Sequence, residues 1–351
     1  MKQRWALVTG ASGLVGSTLV RKLVERGEYV KAFVRPGSDL RPLRGLPEEQ
    51  VRLAYGDVRV MHTVYRALAS CDRLYHVASP FKFWSRHPQE IIDGAVLGTR
   101  ATLLAARRRG IENIVVTSSA GVLGVNKAPE PFDEEHELNI DDPEPYVRSK
   151  VEAAKVVDEF VSEGLPVVSV LPGSIFGPGD WKPTPNGQLL VRYLKLSPGF
   201  RVPVTNGGIS VVDVDDVAEG HIQAMEQGAV GERYLLGGEN VTFSQLIQTL
   251  SEITGLAEPS EPKGHGMAKL LGLVCELYAK WTNEPPPITY KLARDYAESY
   301  VWVSSEKAER ELGYSYRPAR ETLARAVRWL LEHDYVPRAA AGRVRLELRP
   351  I

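Results

Sequence analysis

The first two-thirds of the chain alternates short apolar, β-branched runs with stretches whose apolar positions recur at helical spacing. WALVTG (5–10), YVKAFVR (29–35), VRLAYGDV (51–58), RLYHVAS (73–79), NIVVTSS (113–119) and PVVSVLPG (166–173) read as strands. Residues 14–26 place Leu14, Leu19, Leu23 and Val24 on one helical face, and further helices are predicted near 60–70, 89–109 and 146–163. Strands joined by helices imply a parallel, doubly wound α/β sheet, because each crossover must carry the chain back across the sheet. Arg107, Arg108 and Arg109 fall in the last turn before Gly110 and read as dipole-complementing surface charges rather than a binding patch.

Beyond residue 178 the rhythm loosens. GPGDWKPTPNGQ (177–188) is rich in proline and glycine and reads as loop. A strand at 209–214, a helix opening near Asp216 and RYLLGG (233–238) read as a return to the sheet. Residues 239–337 read as mostly helical, broken by NEPPP at 283–287. The expected organisation is a sheet domain over 1–178 with return segments near 209–238. A smaller, mostly helical C-terminal substrate lobe takes 179–208 and 239–337, and a tail takes 338–351.

Composition mainly excludes. Hydrophobic residues make up 43% and charged residues 25%, as in ordinary globular chains, and the net charge of −1 gives no global pointer to nucleic acid or an anionic surface. Cys71 and Cys275 are far apart, which predicts a disulfide-free protein of a reducing compartment. Lys2 and Arg4 before WALVTGASGLVGSTLV have the outline of a signal peptide, but three evenly spaced glycines break the apolar stretch. No run of about 18 uninterrupted apolar residues occurs. A cytoplasmic protein without an integral membrane segment is expected, with homodimerisation left open.

Those glycines carry chemistry. TGASGLVG (9–16) follows the first strand and opens the first helix, with Gly10, Gly13 and Gly16. A side chain there would keep a pyrophosphate from the helix N-terminus, where free N–H groups and the dipole favour anions. Glycines serving only tight packing are the plainer alternative. At the end of the second strand an acid would accept a ribose 2′-hydroxyl and repel a 2′-phosphate. AFVRPGS places Val34 there, with Arg35 beside it. A guanidinium on a phosphate makes charge-assisted hydrogen bonds worth about 1.5–3 kcal/mol each. NADP(H) is therefore expected over NAD(H), with Ser38 and Arg41 in support; the alternative is a solvent-facing arginine.

YVRSK (146–150) sets Tyr146 and Lys150 four apart, on one face of a helix. A free tyrosine has a pKa of about 10, and a nearby ammonium lowers it, as proton exchange near neutrality requires. The lysine also has donors for a ribose hydroxyl. TSSAG (117–121) ends an intervening strand and offers a hydroxyl to polarise a substrate oxygen, Ser119 or the neighbouring Ser118.

The turn, the Tyr-x-x-x-Lys pair and TSSAG together resemble the extended short-chain dehydrogenase/reductase family, which implies a Rossmann sheet. The resemblance gives Thr9, Gly10, Ser12, Gly13, Leu14, Val15 and Gly16 to the phosphate turn, Asp57 and Val58 to adenine, and Val77, Ala78 and Ser79 to the nicotinamide ribose. It adds Pro172, Gly173 and Ser174 to the cofactor's surroundings. Ser119 is implied as the polarising hydroxyl, because its offset from Leu123-Gly124 matches the family's Ser-x-x-x-Tyr-Gly pattern. The family's Asn-Val-x-Gly-Thr segment reads GAVLGT (94–99), with Ala95 in the asparagine's place. HVASP (76–80) and IIDGAVLGT (91–99) resemble the branch of dihydroflavonol, cinnamoyl-CoA and ketone reductases. Sugar dehydratases of this fold carry Asp-Glu after the hydroxyl; here Ala120 and Gly121 follow. Residues 171–188 also resemble 3β-hydroxysteroid dehydrogenases and hopanoid-associated sugar-epimerase-like proteins.

Three functions are consistent with these residues. The expected one is NADP(H)-dependent reduction of an aldehyde or ketone, or oxidation of the corresponding secondary alcohol, on a lipophilic or aromatic small molecule. The others are NAD-dependent nucleotide-sugar epimerisation and cofactor-dependent regulation without turnover. His76 reads as a packed histidine. Asp213, Asp215 and Asp216 read as a turn and helix cap, Glu134, Glu135 and Glu137 as a solvated loop, and no metal is expected. In GMAKLLGLVCELYAKW (266–281), Met267, Leu270, Leu271, Leu273, Val274, Leu277, Tyr278 and Trp281 form a broad apolar side beside Lys269, Glu276 and Lys280. That stretch reads either as a core helix of the lobe or as a lid covering the site, hinged at Gly264, Gly266 and the prolines at 285–287.

Overall fold

A computed structural model describes residues 4–262, 264–282, 286 and 288–345. From the N-terminus, β1 (Trp5–Thr9), α1 (Leu14–Glu25), β2 (Tyr29–Val34), β3 (Val51–Tyr55), α2 (Met61–Ala67), β4 (Cys71–His76), α3 (Pro88–Arg109), β5 (Asn113–Thr117), α4 (Pro145–Ser162) and β6 (Val167–Pro172) largely alternate strand and helix. There follow β7 (Ser174–Phe176), α5 (Pro185–Tyr193), β8 (Arg201–Val202), β9 (Gly208–Asp213), α6 (Val214–Gln227), β10 (Arg233–Leu236), β11 (Glu239–Thr242) and α7 (Phe243–Thr254). The chain then runs through β12 (Glu258–Pro259), α8 (His265–Thr282), α9 (Tyr290–Tyr296), β13 (Tyr300–Val301), α10 (Glu306–Leu312), α11 (Ala319–Glu332) and α12 (Arg338–Ala341).

The main sheet has seven parallel strands in the order β10-β6-β5-β4-β1-β2-β3. It is the expected doubly wound Rossmann architecture. The order reverses between β1 and β4, which opens a crevice at the carboxyl ends of those strands. The central strands are apolar because helices cover both faces: Leu7, Val8, Val30, Ala32, Leu74 and Val115 are fully buried. Each large buried side chain contributes roughly 1.5–3 kcal/mol. The stretch that resembles a signal peptide forms the interior strand β1 and the helix α1.

Residues 209–214 do not rejoin this sheet. β9 lies at the centre of a second sheet, antiparallel to β11 and parallel to β13 and β7. A buried β-branched run looks the same whichever sheet receives it; among the described residues beyond β6, β10 alone returns to the main sheet, beside β6. Residues 177–188 are not all loop. Thr184 accepts the Gly187 N–H, and Pro185 opens α5 at a position that needs no donor. The tail also begins inside the fold: Val344 packs on the lobe's core and Arg345 N–H donates to the Thr254 carbonyl at 2.9 Å. Residues 346–351 lie outside the described residues.

Glu134 is not solvated. It is half-buried, and its Oε1 accepts the Leu235 N–H at 2.7 Å on β10, the outermost strand of the main sheet. The arginines in the last turn of α3 behave as surface charges: Arg107 pairs with Glu163 and Arg109 lies over the Tyr65 ring, while Gly110 ends the helix at φ +66°. Asp213 caps α6 by accepting the Asp215 N–H at 2.9 Å, and Arg317 and Arg325 neutralise the acidic trio. Among the described residues no cluster suits a metal, and no helix is long and apolar enough to cross a membrane. Both cysteines are free.

The core-helix reading of 266–281 is wrong. Gly272 and Ala279 are buried against α9, where a Cβ on Gly272 would meet the Thr289 carbonyl oxygen at 2.8 Å. The eight large apolar side chains point outward, between 47% and 83% exposed. Among the described residues that face covers nothing, so it is not a closed lid over the site either. Of the proposed hinge residues, Pro285 and Pro287 lie outside the described residues.

Candidate active site

The glycine turn is held by backbone geometry. Gly10 has φ +68°, and a Cβ there would lie 2.9 Å from the backbone of Ala78. A Cβ on Gly16 would lie 2.2 Å from the Gly10 carbonyl oxygen, a backbone clash that no rotamer relieves. Gly13 is different. Its Cβ would meet only the Gly10 oxygen, at 3.3 Å, and the residue is exposed, so packing does not demand glycine there. Gly13 caps α1 without a side-chain acceptor, leaving the first-turn N–H groups of Leu14, Val15 and Gly16 for an anion. This cradle fits a dinucleotide pyrophosphate.

Thr9 ties the turn to the next strand end. Its Oγ1 accepts the Val77 and Ala78 N–H groups at 3.1 and 3.2 Å, and so donates its own proton to His76 Nδ1 at 2.9 Å. Burial holds the His76 pKa down to about 3, so the ring is neutral and packed, as its sequence context predicts. Val77, Ala78 and Ser79 thus sit across the crevice from Gly10. Pro172 ends β6 and Ser174 opens β7, at the same carboxyl edge. Gly173 lets the Ser210 carbonyl approach within 2.9 Å of where a Cβ would stand.

At the end of β2, Arg35 is exposed; the Asp57 carboxyl is held below its ordinary range by hydrogen bonds from Arg59 first, with the Arg35 charge adding to them. Arg59, which motif reading passed over, chelates Asp57: its Nε donates to Oδ1 at 3.0 Å and its terminal nitrogen to Oδ2 at 2.6 Å. The carboxylate implied for adenine is thus already paired with Arg59, and Arg35 acts on it only through its charge. Arg41 does not join them; it pairs with Asp39 at 2.6 Å and lies over Trp181. Ser38 closes the turn through its N–H to the Arg35 carbonyl. Val58 packs on α3 where Gly98 leaves room, 3.1 Å from a would-be Cβ. Ala95 is buried in that helix.

Pro145 opens α4, and Tyr146 and Lys150 follow one turn apart. Lys150 is buried, and its ammonium donates to the Thr117 carbonyl at 3.1 Å. Thr117 Oγ1 in turn meets His221 Nε2 at 2.8 Å, while His221 Nδ1 meets the Val217 carbonyl at 2.7 Å. That pattern makes His221 a neutral ring donating from Nδ1. Ser119 lies close enough to Tyr146 to pull the phenol's pKa down. Ser118 instead lines a small cavity beside Lys150, with His76, Ser79 and Thr99. Burial outweighs Ser119 and pushes Tyr146 up to about 12, while Lys150 is lowered to about 8. The expected lowering of the tyrosine by the lysine is absent in the protein alone. Desolvation dominates both groups. Phe81 and Phe83 stack around the Tyr146 ring at 4.8 and 5.5 Å between centroids.

Glu144, two residues before Tyr146, was invisible to motif reading. It is fully buried, its Oε2 accepts the Tyr146 N–H at 3.2 Å as the cap of α4, and its Oε1 has no hydrogen-bond partner. Burial pushes its pKa up to about 8 and Asp295 adds to the rise; Tyr296 of α9 is likewise raised by burial, with Glu144 adding to it. Because the folded value exceeds the unfolded one, stability from this site is complete below about pH 4.5 and declines as pH rises to about 8. Glu144→Gln keeps an acceptor for the cap without the charge. Thermal melts across that range should show the wild type losing several degrees relative to the variant; parallel curves would mean that Glu144 is ionised in the fold.

The glycine crevice, with a hydroxyl, a phenol and an ammonium gathered at the sheet's carboxyl edge, defines a dinucleotide-dependent class. The chain belongs to the NAD dependent epimerase/dehydratase family, whose profile matches residues 6–237, and is an oxidoreductase-type extended short-chain dehydrogenase/reductase. It is 34% identical over 335 residues to the sterol demethylase protein B of Methylococcus capsulatus, covering 94% of this chain and 99% of that one. Identity is 32% over 335 residues to a putative dihydroflavonol 4-reductase of Synechocystis sp., covering 94% and 95%. The crystal structure of gox2253 superposes with a TM-score of 0.82 at 34% identity, covering 95% of this chain and 100% of that one.

Proposed function

We propose that the protein is an NADP(H)-dependent carbonyl reductase, equally able to run as the secondary-alcohol dehydrogenase, acting on a lipophilic or aromatic small molecule. The observation that carries this reading is the placement of Tyr146 beside Ser119, with Lys150 one helical turn on and Phe81 and Phe83 walling the phenol. A dinucleotide supplies the hydride when bound. Ser119 would hold the substrate oxygen by donating its hydroxyl proton, and Tyr146 would give that oxygen its proton. Burial keeps the phenol protonated at neutral pH, the form a proton donor needs. Lys150 would hold a ribose hydroxyl and keep positive charge near the phenol as its proton leaves. The aromatic wall suits an apolar body better than a sugar, and two relatives are named for a flavonoid reductase and a sterol enzyme.

Arg35 and Arg59 support the phosphorylated cofactor, since two guanidinium groups offer a 2′-phosphate charge-assisted hydrogen bonds. Arg35→Ala should lower the ratio of NADPH to NADH affinity about tenfold or more, the value of one such contact. An unchanged ratio in binding titrations would remove Arg35 from the assignment. The decisive test of the reaction is a carbonyl panel with NADPH deuterated at the transferring position. A reductase puts deuterium on its product and accumulates oxidised cofactor. Cofactor that is never consumed, with NAD retained through purification, would instead indicate epimerisation.

A further inference from the structure

The apolar face of α8 has no partner among the described residues. Met267, Leu270, Leu271, Leu273, Val274, Leu277, Tyr278 and Trp281 are all exposed, and Trp281 is 83% exposed. At 100° per residue they occupy one continuous arc of the helix, less than half its circumference. The reverse side carries the small residues Gly272 and Ala279, which let α8 lie close against α9. The sequence therefore does the opposite of building a core: small residues face the protein and large apolar ones face outward. An apolar patch of this size on a soluble protein marks an interaction surface.

We propose that α8 is an interfacial helix that seats the protein on an anionic lipid bilayer. The shape favours a fluid partner, because the patch is the convex side of one helix rather than a groove or flat face made to receive a second rigid surface. Its side chains grade from aliphatic, Met267 to Leu277, to aromatic at the C-terminal end, where Tyr278 and Trp281 lie 6.4 Å apart. Aromatic rings of this kind settle at the level of lipid headgroups. Charge agrees. Glu276, the helix's one carboxylate, is turned toward α9 and accepts the Tyr290 N–H at 2.8 Å. Lys269 stands on the flank of the arc. A helix with an apolar face and basic flank lies in the plane of the interface. At 18 residues it spans about 27 Å of that plane, and it is not apolar enough to cross the bilayer.

The experiment is flotation of the full chain with vesicles of mixed phosphatidylcholine and phosphatidylglycerol, beside sedimentation analysis without lipid. The wild type should float with the vesicles. Leu270→Ser/Leu277→Ser, at positions already exposed to water, should keep its melting temperature and bind at least tenfold more weakly. Vesicles with brominated acyl chains should quench wild-type tryptophan fluorescence, and Trp281→Phe should lose most of that quenching; this readout holds even if the double variant misfolds. Failure of the wild type to float, binding unaffected by the serine pair, or a lipid-free dimer that the serine pair dissociates would each overturn the proposal, the last by assigning the face to a second copy.

Discussion

Tyr146→Phe is expected to cut turnover about a hundred- to ten-thousand-fold while leaving cofactor affinity nearly unchanged. The substitution deletes one oxygen and keeps the ring that Phe81 and Phe83 pack against, so the aromatic wall survives. What disappears is the proton that the proposed reaction delivers to the substrate oxygen. Ser119 remains in place, and its own short cap to the Gly121 N–H does not depend on Tyr146. Steady-state rates with NADPH, read beside cofactor binding by fluorescence titration, separate the two roles. A fully active variant would end the assignment of Tyr146 as the acid, and a matching loss of cofactor affinity would move the residue to a binding role.

Lys150→Met should have two effects of opposite sign. Turnover and cofactor affinity should both fall, with turnover down at least about a hundredfold, since the ammonium is proposed to serve ribose and phenol together. Stability should rise. Burial holds the folded pKa of Lys150 near 8 against 10.5 in the unfolded chain, so the charged form is disfavoured in the fold at every pH below about 8. At 1.36 kcal/mol per pKa unit that is of order 3 kcal/mol. Losing the bond to the Thr117 carbonyl offsets about 1 kcal/mol of it. The penalty fades as pH rises from about 8 toward 10.5, so the variant's advantage should be largest at neutral pH and vanish in strong base. Melting temperatures for the two proteins at pH 7 and pH 10 give the comparison. A variant that is less stable at pH 7 would mean that the ammonium is better solvated than its burial implies.

The main sheet was legible because a strand buried on both faces must be apolar along most of its length, and β1, β2, β5 and β6 largely obey that locally. The turn and the helix were legible on local grounds too: Gly16 would clash with the Gly10 carbonyl six residues before it, and Tyr146 and Lys150 share one helical turn. Partnerships across the chain left no such trace. Tyr296 reaches the surroundings of Tyr146 from α9, and Glu134 finds the Leu235 N–H from a loop whose charge pattern reads as solvated. The run at β9 announced a buried strand but not which sheet it would join. In α8 the periodicity correctly showed an apolar face; periodicity is silent on what that face meets.

The placement of β10 has a consequence for synthesis. Its register partner β6 is complete long before β10 exists, because β7, α5, β9 and α6 must be made between them. A chain emerging from the ribosome therefore passes through a stage in which six parallel strands end on a bare β6 edge. Such an open edge is a template for pairing with another chain, and late, non-local closure is slow. When β10 docks, the Glu134 carboxylate takes up the outward Leu235 N–H, and the Tyr314 hydroxyl, from beyond α10, donates to the Gly237 carbonyl at 2.8 Å. The nascent protein is thus most exposed to misassembly midway through its own translation, and chaperone dependence should concentrate on chains arrested between residues 172 and 233.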